Sequence, residues 1–269
     1  MTLFRQHAKS EAASTLTWAI VFGLLGVFTV YMFEMMRSSG SLAELEKTLE
    51  NAQGVLKALV GNGGQSLLSA EGWLAGYVLG GWSSLVYVVF TAMFVVGMIT
   101  REMDRRTMEF VLSLPVSRTQ LLLSRWLALA GSLATVLLAQ FIGVWATVGA
   151  LGYDVSLGRI ALTQFNSLLL YLFLGSLMLL VSLFFDDYGA GTGVMLGIGL
   201  GLDLLHMATG ESTGVMKSLH DVLPFSFLNV QAIMIKGTVP WGDMAILAVG
   251  AGLFLALSIW VFQRKQITV

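Results

Sequence analysis

The chain has 269 residues, of which 56% are hydrophobic and only 12% charged, and its net charge is −1. An ordinary soluble domain is roughly 25% charged, so this is the composition of an integral membrane protein, with no bulk electrostatic pull toward nucleic acid. Cysteine is absent, which excludes disulfides, thiolate metal sites and cysteine nucleophiles together.

Met1 opens a short basic segment, "TLFRQHAKSEAA" over 2–13, that mixes apolar and cationic residues. The pattern predicts an amphipathic interfacial helix over 1–14. The apolar run behind it is about twenty residues long with no small-residue cleavage site after it, so it reads as a retained span and not as a signal peptide. Crossing the hydrocarbon takes roughly twenty apolar residues in a helix. Six stretches qualify: 16–36, 73–100, 121–149, 165–185, 189–208 and 241–262. Lipid forbids unpaired backbone groups, so the fold class is an all-α polytopic membrane protein with six transmembrane helices in a single domain.

Between the first two spans lies a 37–72 loop. Leu42, Leu45, Leu49, Val55, Leu56 and Leu59 recur in it at helical spacing, which predicts an amphipathic helix resting on the membrane or on the other spans. The 209–240 connection is too apolar for a solvated loop and too broken for a span, so a re-entrant or interfacial helical piece is expected there.

Six spans leave both termini on one side. Placing that side in the cytoplasm puts Arg5, Lys9, Arg101, Arg105, Arg106, Arg118, Arg125, Arg264 and Lys265 inside. Arg37, Lys47, Lys57, Arg159, Lys217 and Lys236 then lie outside. The inner set sits in short segments at span ends, where the positive-inside rule counts.

Ionisable residues within spans are few. Asp203 and His206, three apart in the fifth span, share a helical face. They form a candidate intramembrane polar site, able to share a hydrogen bond, a proton or a cation; the alternative is that a neighbouring helix caps Asp203 and His206 lies at the interface. "GLGLD" at 199–203 does not match an intramembrane aspartyl protease, because Leu202 separates the second Gly from Asp203. There is no His-Glu-x-x-His helix, no phosphate-binding Gly-x-x-x-x-Gly-Lys loop, and only three His, so neither a metal centre nor ATP binding by this chain is expected.

The conspicuous feature is the charged stretch 101–120 between the second and third spans. Met103, Thr107, Phe110, Val111 and Leu114 form one stripe of a short helix, with Asp104, Arg105, Arg106 and Glu109 on the rest of its surface. Pro115 ends that helix. Ser117-Arg118-Thr119-Gln120 is a Ser-x-x-Gln capping box that starts the third span, with Val116 and Leu121 placed for a hydrophobic staple. Mixed charge on a rigid elbow suits docking into a complementary groove.

Glu102, Thr107, Glu109, Leu112, Pro115, Ser117 and Arg118 resemble, in type and spacing, the coupling signature of type-2 ABC transporter permeases, the membrane subunits of bacterial exporters. Arg106 stands where that family usually carries Gly. The resemblance implies a coupling segment made of Glu102, Asp104, Thr107, Glu109, Phe110, Pro115, Ser117 and Arg118, seated on a separate ATP-binding subunit. Glu102, Asp104 and Glu109 would contact that ATPase and Arg118 would anchor the elbow. ATP and magnesium would sit on the partner, leaving this chain non-enzymatic. It further implies a second permease copy, the bacterial cytoplasmic membrane with both termini inside, and export of a hydrophobic or amphipathic substrate. The alternatives are an ABC-like permease serving signalling or envelope remodelling, and an intramembrane enzyme built on Asp203 and His206.

Overall fold

A computed structural model describes residues 2–42, 44, 47, 69–98, 100, 117–210 and 212–265. The expected coupling helix and most of the amphipathic helix of the 37–72 loop lie outside these residues. No strand occurs among those described. Among the described residues six helices are long and apolar enough to cross a membrane: Ala12–Ser38, Ala70–Met98, Arg118–Leu151, Leu157–Ser182, Tyr188–Thr209 and Trp241–Arg264.

Helix α1 (Thr2–Ser38) is one helix in which the segment expected over 1–14 runs straight into the first span. It lies parallel to α4 (Arg118–Leu151), and Thr15 meets Ser132 hydroxyl to hydroxyl at 2.9 Å. Small residues let the two backbones come together. A Cβ on Gly143 would stand 2.3 Å from the Gly23 carbonyl oxygen, and one on Gly26 3.1 Å from that of Gln140. In lipid, where apolar side chains gain nothing by leaving the solvent, such close approach is what holds helices together.

The second span differs from the unbroken helix that its hydropathy predicts. It consists of α2 (Ala70–Trp73), a π turn over Leu74–Val78, a bend, and α3 (Gly81–Met98). Glycine causes the break. Gly81 has φ +40°, and a Cβ there would stand 2.2 Å from the Gly76 carbonyl oxygen. Non-helical backbone at this depth survives only where protein or a cavity receives it.

Helix α5 (Leu157–Ser182) starts eight residues before the predicted 165. Arg159 in its first turn is satisfied inside the protein, by Glu71 at 3.3 Å and the Met234 carbonyl at 2.8 Å, so its charge does not delay the helix. Asp187 caps α6 (Tyr188–Thr209) by accepting from the Ala190 N–H at 2.6 Å. The 209–240 connection folds as α7 (Val215–Val222), a 3₁₀ turn over Pro224–Phe227 and α8 (Val230–Met234), before α9 (Trp241–Arg264). This helical piece agrees with the expectation, and Phe225, Val230, Ile233 and Met234 fasten it to the bundle.

The bundle therefore has one end where α4 starts and α9 finishes, termed the basic end after Arg118, Arg264 and Lys265. The other is a loop end, which holds the broken second span, the 210–240 piece and the cations Arg37, Arg159, Lys217 and Lys236. Its centre is filled by aromatics: Phe22 stacks on Tyr87 at 4.0 Å, and Tyr87 on Tyr171 at 4.8 Å. Arg125, counted above among the inner basic residues, is only 1% exposed, inside α4.

Candidate functional site

Two places carry polar chemistry. At the basic end, Glu102, Asp104, Thr107, Glu109, Phe110 and Pro115 lie outside the described residues, whereas Ser117 and Arg118 are placed in detail. The Ser117 hydroxyl accepts from the Gln120 N–H at 3.1 Å, and the Gln120 carboxamide oxygen accepts from the Ser117 N–H at 3.2 Å. This reciprocal box satisfies two donors that a helix start otherwise leaves open. Arg118 reaches the far end of the chain: its guanidinium donates to the carbonyls of Phe262 at 3.1 Å and Lys265 at 2.6 Å. A cation on the last carbonyls of a helix also opposes the negative end of its dipole. Lys265 in turn donates to the Leu183 carbonyl at 2.7 Å and the Asp186 carboxylate at 2.8 Å. The start of α4, the end of α9 and the α5–α6 turn are thus tied at one place.

At the loop end, a cavity of about 340 Å³ opens between the break in the second span, the last turns of α6 and the 210–240 piece. Asp203 and His206 both line it, but they do not bond to each other. The Asp203 carboxylate, 2% exposed, accepts from the Ser84 hydroxyl at 2.8 Å. His206 stacks on His220 at 4.6 Å, and His220 Nδ1 lies 3.2 Å from the Thr209 hydroxyl. Among the described residues that line the cavity, Asp203 is the one carboxylate, so an acid pair of the aspartyl-protease kind is not assembled there.

Below the cavity runs an uncharged polar network that the sequence reading did not single out. Gln140, fully buried, accepts from the Tyr87 hydroxyl and from the Gln164 carboxamide, both at 2.9 Å. Its own amide donates to the Val78 carbonyl at 3.0 Å. Val78 closes the π turn, so Gln140 and Ser83 satisfy a carbonyl that the break has released from helical pairing. Replacing Gln140 by Leu strands the Tyr87 hydroxyl and the Gln164 amide in the membrane, at a cost of about 1–3 kcal/mol. The expected result is a lowered thermal unfolding midpoint of the detergent-solubilised chain, and an unchanged midpoint refutes it.

Comparison with known proteins decides what this bundle is. The profile of the family described as ABC-2 family transporter protein matches residues 4–267. The chain belongs to that family. No individually curated protein matches the chain. It is accordingly the membrane permease subunit of an ABC-2 type transporter, a multi-pass protein whose family partner is an ATP-binding subunit. The match spans residues 4–267 of the 269 given, and the subunits of this family are typically non-catalytic membrane components. In that family ATP chemistry belongs to the partner subunit. Among the described residues no cluster of three or more His, Cys, Asp or Glu side chains is arranged to hold a metal ion.

Proposed function

We propose that the chain is the membrane half of an ATP-driven exporter of hydrophobic or amphipathic substrates, driven through the 101–118 segment by an ATPase docked at the basic end. The observation that carries this reading is the joint at Ser117 and Arg118. A capped helix start bonded to the carbonyls ending α9 supports it, because α4 and α9 are joined where the chain enters from that segment. A push on that segment moves α4 and α9 as one body, as rigid-body alternating access requires. The basic end then faces the cytoplasm, in keeping with the positive-inside rule.

A second permease copy completes the path. Helix α6 supports this with two glycine-bearing faces. Gly191 and Gly199 pack inward, where a Cβ on Gly199 would stand 2.5 Å from Val88 and 2.6 Å from Met178. Gly193, Gly197 and Gly201 face open space, a small-xxx-small ridge on which another helix can seat closely.

The test is made on the permease reconstituted with its ATPase. Glu109→Ala and Pro115→Ala are expected to insert normally and to cut permease-stimulated ATP hydrolysis by roughly tenfold or more, the scale on which misaligned machinery fails. Stimulation equal to wild type in both variants removes the coupling assignment. Transport of a lipophilic dye, followed in the same vesicles, separates export from a purely signalling role.

A further inference from the structure

The cavity at the loop end has a chemistry of its own, apart from the coupling machinery. Its volume of about 340 Å³ falls in the small-molecule range of about 300–1,000 Å³. We propose that it binds the ammonium group of an amphipathic amine, with Asp203 as the counter-ion. The inference rests on the exporter reading only in treating that amine as cargo.

The sign of the site comes first. Asp203 is buried at membrane depth with one hydrogen-bond donor, Ser84, although a carboxylate has about four acceptor positions. No Lys or Arg is among the described residues lining the cavity, and no ion pair joins Asp203 to another described residue. A carboxylate so placed in a membrane calls for a cation. The backbone contributes both signs: the ends of the π turn, at Gly76 and Gly80, and of α6, at Met207 and Gly210, carry partial negative charge, and the first turn of α3, at Gly81 and Ser84, partial positive. Ser84, Asn229 and Gln231 also line the cavity, and each carries a side-chain oxygen of a type that accepts from an ammonium.

The kind of cation follows from the rest of the lining. A bare divalent ion wants several anionic or imidazole ligands converging on one point, and no such cluster exists among the described residues. The space is instead walled by the His206–His220 stack and by Phe225, 6.1 Å from the His206 ring. Flat π surfaces beside a carboxylate suit an organic ammonium. Ala75, Met207, Leu228 and Val230 receive the carbon chain. An anion would meet Asp203 and the carbonyl ends, and a neutral alcohol would leave Asp203 without a counter-charge.

The test uses the full chain in phosphatidylcholine–phosphatidylglycerol nanodiscs, with radiolabelled dodecylamine as probe and empty discs subtracted. Saturable binding is expected, displaced by excess unlabelled amine but not by dodecanol or dodecyl sulfate. Asp203→Asn should weaken it about tenfold, the loss of one ionic contact. Adding phosphatidylethanolamine identifies the natural source: competition means a lipid headgroup, no competition a free amine, and either result supports the site. Absence of saturable binding to wild type, or equal displacement by dodecyl sulfate, overturns the proposal even where Asp203→Asn fails to fold. No ATPase is present, so failure here leaves the coupling result standing, and failure of coupling leaves the binding result standing.

Discussion

Gly143→Leu is expected to separate the first and third spans and to prevent the permease from accumulating in a folded form. The cause is local: a Cβ at 143 would stand 2.3 Å from the Gly23 carbonyl oxygen and 3.2 Å from its carbon, both backbone atoms of a facing helix. No rotamer change relieves a backbone contact, so α1 must move away from α4 along its length. Overpacking in a close-packed interior costs about 1–3 kcal/mol and at times more. Here it also removes the close approach that replaces the hydrophobic effect in lipid. The measurement is the folded fraction by size-exclusion fluorescence after detergent extraction. Gly131→Leu on the same helix, where a Cβ would meet nothing within 4 Å, is the matched control and should behave as wild type. Equal behaviour of the two variants contradicts the close-packing account.

Gly81→Ala is expected to be nearly as damaging, for a different reason. The residue has φ +40° and its Cβ would fall 2.2 Å from the Gly76 carbonyl oxygen. An L side chain in the left-handed region costs about 1–2 kcal/mol by itself, and the clash adds to that. The break in the second span must then open or reorganise, and Ser84, one turn further on, is carried away from Asp203. Loss of about 2–4 kcal/mol in stability should appear as a lower unfolding midpoint. The Asp203-dependent binding of an amine should weaken in parallel. An unshifted midpoint shows that the break tolerates a side chain and that its glycine is incidental.

The six spans were legible because lipid imposes one demand, an unbroken apolar helix, that hydropathy measures directly. Ser117 and Gln120 were legible as a cap because capping is a local arrangement of four residues. The break in the second span was not, since Gly76, Gly80 and Gly81 look like the packing glycines of any membrane helix. Only the structure shows Gly81 at positive φ. The early start of α5 was hidden for a related reason: hydropathy registers Arg159 as a charge, and cannot register that Glu71 and Met234 wait for it. In the cavity, Asp203 and His206 stood out as ionisable groups within a span. Their actual partners, Ser84 and His220, come from other segments, and no local pattern links them. Gln140 and Gln164 carry no charge, so averaging over a span erases them. An amide in the middle of an apolar helix was the available signal.

Helix α9 has both of its ends spoken for. Arg118 holds its last carbonyls, and Asp243 in its first turn accepts a hydrogen bond from the amide of Asn229, which lines the cavity. Its 24 residues span about 36 Å at 1.5 Å per residue. A helix is stiff along its axis, so under the proposed coupling it would work as a connecting rod: a stroke delivered at one end of the bundle would arrive at the other without needing a relay of side-chain rearrangements. Opening at the loop end would then keep time with the power stroke, and lengthening this rod by a single residue would throw the two ends out of phase while leaving each intact.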